Sequence, residues 1–406
     1  MKTHRPYRVL HVVNSLNIGG IETVLLNASS LFNREKYSHQ ICCLNFRGTY
    51  ADRFEAIGIP VVVPSRFSRY DPGLPYRIAR LIQKEKIDIL YARNTTANLW
   101  ARPGGWLAGV PTIVAGEHGS IWIESPVRRA FQRVNNQFSQ LFIANSNAAR
   151  TMLLNKYNVR HARVRVLYNG IKFSAVAGPN GEGRVLRESL GIPEGHRVIG
   201  FVGRLDTQKG LNFLLRAFQD VHRVTPDVHL CVVGDGALRK AAESLCLELG
   251  IDASVTFAGF RTDVDALMSI FDIVVVPSIY EPFGNVIVEA AAQAKPIIAS
   301  NVDGIPEILT DGQSGLLIEC TENLDRDFLL QDSPFPSCVV DGKTGRIRSP
   351  LGPDVLQMTE AINRCLHDPE WAEALGKSAK ESVVSRFSIQ RYVRELESIF
   401  DSLMDS

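Results

Sequence analysis

The sequence predicts an α/β protein made of two doubly wound parallel sheets, each with helices on both faces. Three observations carry that expectation. At 406 residues the chain is too long for one ordinary core and suits two domains of roughly 150–200 residues. Short apolar runs bounded by turn residues alternate with amphipathic segments along most of the chain, as parallel strands joined by helical crossovers require. The alternation fails around residues 171–194, where GPNGEG punctuates a stretch of poor periodicity. The expected organisation is a first domain at 1–172, a hinge at 173–194 and a second domain at 195–385. Residues 386–406 form a helix that packs back on the first domain.

Taken in order, strands are expected at residues 8–13, 39–44, 60–63, 87–91, 112–115, 141–145 and 164–167. Helices fall between them, among others at 21–31, 73–86 and 127–138. The second half repeats the rhythm with strands at 197–202, 229–233, 254–258, 273–277, 296–299 and 315–318, and the final helix spans 389–403. Residues 319–354 break the pattern with several prolines and glycines, and read as a surface insertion holding a small hairpin, the alternative being a partly disordered lid.

Composition narrows the class. Apolar residues make up 45% and charged residues 22%, the balance of a globular protein in water. No apolar run approaches the ~18 residues that span a bilayer. The N-terminal stretch lacks the apolar segment of a signal peptide, so a cytoplasmic location is expected. Seven cysteines form no CxxC pair and read as reduced core thiols. The net charge of +2 hides an asymmetry. Residues 1–180 carry 24 Lys and Arg against 9 Asp and Glu, and the remainder carries 21 against 34. The first half therefore faces an anionic partner or simply a solvated basic surface. Nucleic acid is the weakest candidate, because no binding module and no basic run interleaved with aromatics occurs.

Four stretches suit a diphosphate and a sugar. VLHVVNSLNIGGIET places Gly19 and Gly20 between a strand and a helix, where backbone N–H groups and the helix dipole favour an anion. The same turn occurs at many strand–helix junctions that bind nothing. IGFVGRLDTQKG follows a second-domain strand with Arg204 and Lys209, a fork and a point charge for phosphate oxygens, or an ordinary solvated turn. In SIYEPFGNVIVEA, Pro282 and Gly284 hold Glu281 in a loop, and Glu289 lies within the following helix. Gly284 and Asn285 sit at that helix's free N–H groups. Two acceptor-only carboxylates at this spacing suit a sugar and a ribose diol, or a helix-terminal charge and a surface ion pair. IVAGEHGS puts His118 after a first-domain strand, flanked by Gly116 and Gly119.

Together GRLDTQKG, EPFGNVIVE, GGIE, ANS, LYNGI and VDGIPEIL, in this order along the chain apart from the early GGIE, ANS and LYNGI of the first domain, resemble the family 4 glycosyltransferases. The resemblance implies the GT-B fold, two facing Rossmann-like domains, and transfer of a sugar with retained anomeric configuration. It implies that Arg204 and Lys209 neutralise the leaving diphosphate, Gly19 and Gly20 offer it backbone N–H groups, and Glu281 holds the donor sugar. Gly284 and Asn285 then cap sugar and phosphate, Glu289 binds the ribose, His118 touches the donor sugar, and the base lies near Phe260 and Arg261. No cofactor and no divalent metal are implied, since cationic side chains and helix dipoles take the metal's place. After the strand IDILYA many relatives carry histidines where this chain has Tyr91, Arg93 and Asn94, so Arg93 and Asn94 are acceptor-side candidates that depart from the family pattern.

The expected function is transfer from a UDP- or GDP-sugar to a cell-surface glycan or its lipid-linked precursor. The segment SPVRRAFQRV, with Arg128, Arg129 and Arg133 among apolar residues, is a candidate peripheral contact with an anionic inner leaflet. The alternatives are a nucleotide-sugar epimerase or hydrolase on the same fold and a non-catalytic sugar-nucleotide binder.

Overall fold

The structure is a computed structural model and describes residues 5–64, 71–118, 126–173, 182–325 and 336–405, without the side chains of 126–129 and 182. Two compact units divide the chain, residues 1–172 with 387–406 and residues 173–386. In the first, β1 (Tyr7–Ser15), β2 (Tyr37–Phe46), β3 (Val61–Val62), β4 (Ile89–Ala92), β5 (Thr112–Glu117), β6 (Leu141–Ala144) and β7 (Val164–Val166) form one sheet. Its order is β3-β2-β1-β4-β5-β6-β7, and every neighbouring pair is parallel. Fully buried strands such as Ile89–Ala92 read as continuous apolar runs because helices cover both faces.

The C-terminal helix, Ile389–Met404, completes this unit. Its residues Ile389, Tyr392, Val393, Leu396 and Phe400 recur at helical spacing and enter the core formed with β1, β2 and the helix Gly20–Ser29. Its acidic side chains meet the basic unit at the surface. Lys36 Nζ lies 2.7 Å from Asp401 Oδ1, and the Asn33 N–H donates to Glu397 Oε1 at 2.7 Å.

A polar network runs through the same core. Arg93 is 1% exposed; its Nε donates to His11 Nδ1 at 3.1 Å, its Nη1 to the Tyr392 hydroxyl at 3.2 Å, and its guanidinium lies 4.3 Å from the centre of the Tyr91 ring. Because Arg donates only, His11 carries its proton on Nε2 and donates it to His39 Nδ1 at 2.9 Å. Burial and the Arg93 charge push His11 well below the usual histidine range and His39 down to about 3. Both imidazoles are neutral in the folded protein.

The second unit repeats the architecture. Strands β8 (Arg197–Val202), β9 (Val228–Val233), β10 (Val255–Gly259), β11 (Ile273–Val276), β12 (Ile297–Ser300) and β13 (Leu316–Ile318) form a parallel sheet of order β10-β9-β8-β11-β12-β13. Within the expected hinge the structure places a helix, Glu182–Ser189, that belongs to this unit. Arg187 fixes it by donating to the carbonyls of His196 at 3.0 Å and Ile270 at 2.8 Å. Eight residues beside GPNGEG give too short a period to stand out in the sequence. The insertion holds two antiparallel ladders, Cys320–Glu322 with Gly352–Pro353 and Val339–Val340 with Ile347–Arg348. All seven cysteines are buried free thiols, and among the described residues no helix is long and apolar enough to cross a membrane.

The neutral histidines make folding pH-dependent. In the unfolded chain each titrates near 6.5, so below that value the unfolded state binds the extra proton and stability falls as pH falls. The expected slope is about 1.4 kcal/mol per pH unit for each histidine. Urea midpoints between pH 7 and 5 check this, and His39→Gln should flatten the dependence relative to wild type.

Candidate active site

In a parallel sheet every strand ends on the same edge, and a crevice opens where the strand order reverses. In the second unit that point lies between β8 and β11. The loop after β8 carries Arg204 and Lys209, and the loop after β11 carries Glu281 and Gly284. The two loops are spliced together. The Ile279 N–H donates to the Gln208 carbonyl at 2.9 Å, and Gln208 Nε2 donates to the Tyr280 carbonyl at 3.2 Å.

This brings Lys209 and Glu281 into a direct ion pair through Nζ and Oε2, with 17% and 11% of their side-chain surface exposed. The Ser278 hydroxyl donates to the same Glu281 oxygen at 3.4 Å. Glu289 lies on the helix Asn285–Ala292, whose N-cap is Gly284, with φ of +107°. Burial pushes the Glu289 carboxyl up to about 7, Asp265 adds to the rise, and Lys209 opposes it. Lys209 thus acts on both carboxylates. Arg204 stands apart from the pair: its side chain is 73% exposed and lies 3.0 Å from Asp206 and 3.1 Å from Gln208 Oε1. Phe260 is exposed after β10, and Arg261 forks onto Asp263, with Nε 2.8 Å from Oδ1.

Asp263 and Asp265 also form an Asp-x-Asp pair, the spacing of many metal-binding carboxylates. Asp263 is engaged by Arg261, Asp265 acts on Glu289, and among the described residues no group of three or more His, Cys, Asp or Glu is placed to hold a metal.

In the first unit the strand order reverses between β1 and β4. Gly19, in extended conformation, caps the helix that begins at Gly20. The Glu22 carboxylate folds back over Gly19, 2.6 Å from where a Cβ would stand, and burial raises its pKa while Arg93 lowers it. His118 follows β5 and is half-buried, and burial with the Arg93 charge pushes it down to about 3. It is therefore a neutral imidazole that can exchange hydrogen bonds with hydroxyls but cannot serve as a cation. Gly119 lies outside the described residues.

Two expectations change here. Arg93 is a core residue rather than an acceptor contact, because it is 1% exposed and enclosed by His11, Tyr91 and Tyr392. Asn94 is half-buried and caps the helix Thr95–Ala108, its Oδ1 accepting from the Ala97 N–H at 2.9 Å. Of the three arginines of SPVRRAFQRV, the side chains of Arg128 and Arg129 lie outside the described residues, and Arg133 is exposed. In its described side chains the helix Pro126–Asn135 reverses the usual amphipathic pattern. It buries Gln132 and Asn135, which bond to Asn136 and the Asn98 carbonyl, and exposes Phe131 and Val134. Trp106 is also exposed and packs against Phe138, ring centres 5.2 Å apart. Asp303 and Gln208, both tied to the Glu281 loop, were not singled out from sequence; their signal is only that they lie inside VDGIPEIL and GRLDTQKG.

Two Rossmann-like sheets in one chain, the second with a cation–carboxylate pair at its strand-order reversal, place the protein in the GT-B fold class. Residues 18–174 match the family model described as Glycosyltransferase Family 4, and residues 184–327 match Glycosyl transferases group 1. The chain belongs to this glycosyltransferase family. An uncharacterized glycosyltransferase of Methanocaldococcus jannaschii is 27% identical over 74% of this chain and 70% of its own length. The UDP-Gal:alpha-D-GlcNAc-diphosphoundecaprenol alpha-1,3-galactosyltransferase of Escherichia coli is 24% identical over 79% of this chain and 86% of its own. The crystal structure of Anabaena HepE in complex with UDP and glucose superposes with a TM-score of 0.78 at 24% identity, covering 97% of this chain and 99% of that one.

The ion pair is testable by itself. Removing either partner leaves a mostly buried charge uncompensated, so Lys209→Met and Glu281→Leu should each lower the unfolding free energy by about 2 kcal/mol. The double variant should recover most of that loss. Urea unfolding of the four proteins gives the coupling.

Proposed function

We propose that the chain is a retaining, metal-independent glycosyltransferase moving a sugar from a UDP- or GDP-sugar to a hydroxyl of a cell-surface glycan or its lipid-linked precursor. The observation that carries this reading is the convergence of Lys209, Glu281 and Glu289 at the β8–β11 reversal. A donor diphosphate takes Lys209 and Arg204, and the freed Glu281 carboxylate accepts hydroxyl protons from the sugar. Glu289 accepts from the ribose diol, and Gly284 and Asn285 offer N–H groups at the helix start. Phe260 and Arg261 flank the base. As the glycosidic C–O bond stretches, the two cations stabilise charge on the departing diphosphate. The acceptor hydroxyl attacks from the face the diphosphate leaves, and a leaving phosphate oxygen takes its proton. His118, with its low proton affinity, is a poor general base, in keeping with that route.

The acceptor class draws support from the Escherichia coli relative, whose name records a diphosphoundecaprenol substrate and UDP-galactose. The exposed Phe131 and Val134, with Arg133 on the same helix, support contact with an anionic bilayer at the cytoplasmic face, since such residues match an interface of headgroups and acyl chains.

A panel of UDP- and GDP-sugars with purified protein and EDTA tests the donor. One donor at 100-fold its Kd should stabilise the fold by about 2.7 kcal/mol and release nucleotide slowly. Both effects should vanish in Lys209→Ala and Glu281→Ala, whereas conversion of the donor to an isomer without release would identify an epimerase. Because ribose needs the Glu289 carboxylate, donor affinity should rise with pH through about 7, by up to about tenfold per unit, and Glu289→Gln should abolish the slope. Sedimentation with vesicles containing phosphatidylglycerol tests the surface. Phe131→Asp with Arg133→Glu should remove binding, and unchanged binding would refute the contact.

A further inference from the structure

The insertion is bonded to the donor loop through one buried carboxylate. Asp303 follows β12, sits at φ of +48° and is 8% exposed. Its Oδ2 accepts the Glu281 N–H at 3.0 Å, and its Oδ1 accepts the Val340 N–H at 2.7 Å. Backbone bonds double each link. The Gly304 N–H donates to the Glu281 carbonyl at 3.1 Å, and the Asp303 N–H donates to the Val340 carbonyl at 2.8 Å. Glu281 is thus gripped at both its N–H and its carbonyl by residues 303–304. The insertion strand Val339–Val340 grips Asp303 in the same two-bonded way.

The packing admits no spacer at either layer. A Cβ on Gly304 would stand 2.3 Å from the Pro282 carbonyl oxygen, and one on Gly342 would stand 2.0 Å from Asn301 Oδ1 and 2.7 Å from the Asn301 carbonyl oxygen. The hairpin is itself braced. Asp341 accepts from the Thr344 N–H at 2.8 Å and from Arg348 Nε at 2.8 Å. Burial pushes the Asp303 carboxyl up to about 7, against the two N–H donors that lower it, so the carboxylate is held in an unfavourable place by the bonds it makes.

We infer that Asp303 is a positioning residue for Glu281 and that the insertion hairpin at 339–348 is the outer brace that fixes it. The inference rests on the donor-sugar role proposed for Glu281. In chain terms, Val340 holds Asp303, Asp303 sets the backbone of Glu281, and that backbone aims the side chain now paired with Lys209. An insertion that looks peripheral in sequence then sets the precision of the sugar grip while leaving the nucleotide contacts of Arg204 and Glu289 alone.

The test uses the full chain and two variants. In Asp303→Asn one of the two backbone N–H groups faces an amide NH2 instead of an acceptor, and Val340→Pro removes the hairpin's N–H while sparing Asp303. Hydrogen exchange followed by NMR should show the Glu281 amide exchanging about tenfold faster in both variants, with the amides of Ile298 and Ala299 unchanged. With the donor found in the panel, kcat should fall about tenfold while the Kd of UDP or GDP alone stays within about twofold. A Glu281 amide that does not respond to Val340→Pro, or a kcat that does not fall, overturns the inference. Should wild type turn over no donor, the exchange result still decides the coupling, and it is the transferase reading that fails.

Discussion

Parallel strand order is the constraint from which the rest of the protein follows. Strands that all run one way deliver all their carboxyl ends to one edge, and a reversal of winding leaves one gap there that no crossover helix fills. In the second unit the chain reaches that gap from two strands distant in sequence. The loops after β8 and β11 are held together by Gln208, so Lys209 meets Glu281 across 72 residues. The short apolar strands, the crossover helices and the glycines at their junctions are what make this meeting reproducible.

The first unit solves a different problem with the same sheet. It buries an arginine among two histidines and two tyrosines, and then uses the last helix of the chain to close over them. Tyr392 supplies both a ring face to the core and a hydroxyl to Arg93. Glu397 and Asp401 carry the closure to the surface, where Lys36 and Asn33 receive them. A helix that begins at residue 389 is therefore structural to a unit whose first strand begins at residue 7, and the parallel bridge from Ile171 to Ser388 ties its start to that unit.

Much of this was legible in the sequence, for reasons that differ by element. Strands such as Ile89–Ala92 and Ile273–Val276 announce themselves because burial on both faces demands unbroken apolar runs. The C-terminal helix declares its inward face through a 3.6-residue period. The helix Thr95–Ala108 gives no such notice, since Pro103 and two glycines lie inside it and its hydrogen bonds survive through tertiary packing. At the site, Arg204, Lys209, Glu281 and Glu289 were readable as residue types suited to phosphate and diols. That Lys209 and Glu281 pair with each other was not, because the contact depends on two loops meeting. Arg93 misled for a related reason: a charged residue at a strand end reads as a ligand contact unless the tyrosine and histidines that enclose it are known. Asp303 was hidden because its partners are backbone N–H groups, which leave no mark in a sequence.

The pairing of Lys209 with Glu281 gives the site a property of its own. Each charge is already answered, so a lone anion entering the loop can take the lysine only by stranding the carboxylate, and a neutral sugar can take the carboxylate only by stranding the lysine. A molecule that carries phosphate and hydroxyls at the right separation settles both at once. Under the proposed donor role, phosphate or sugar arriving singly leaves one of these two mostly buried charges without its partner.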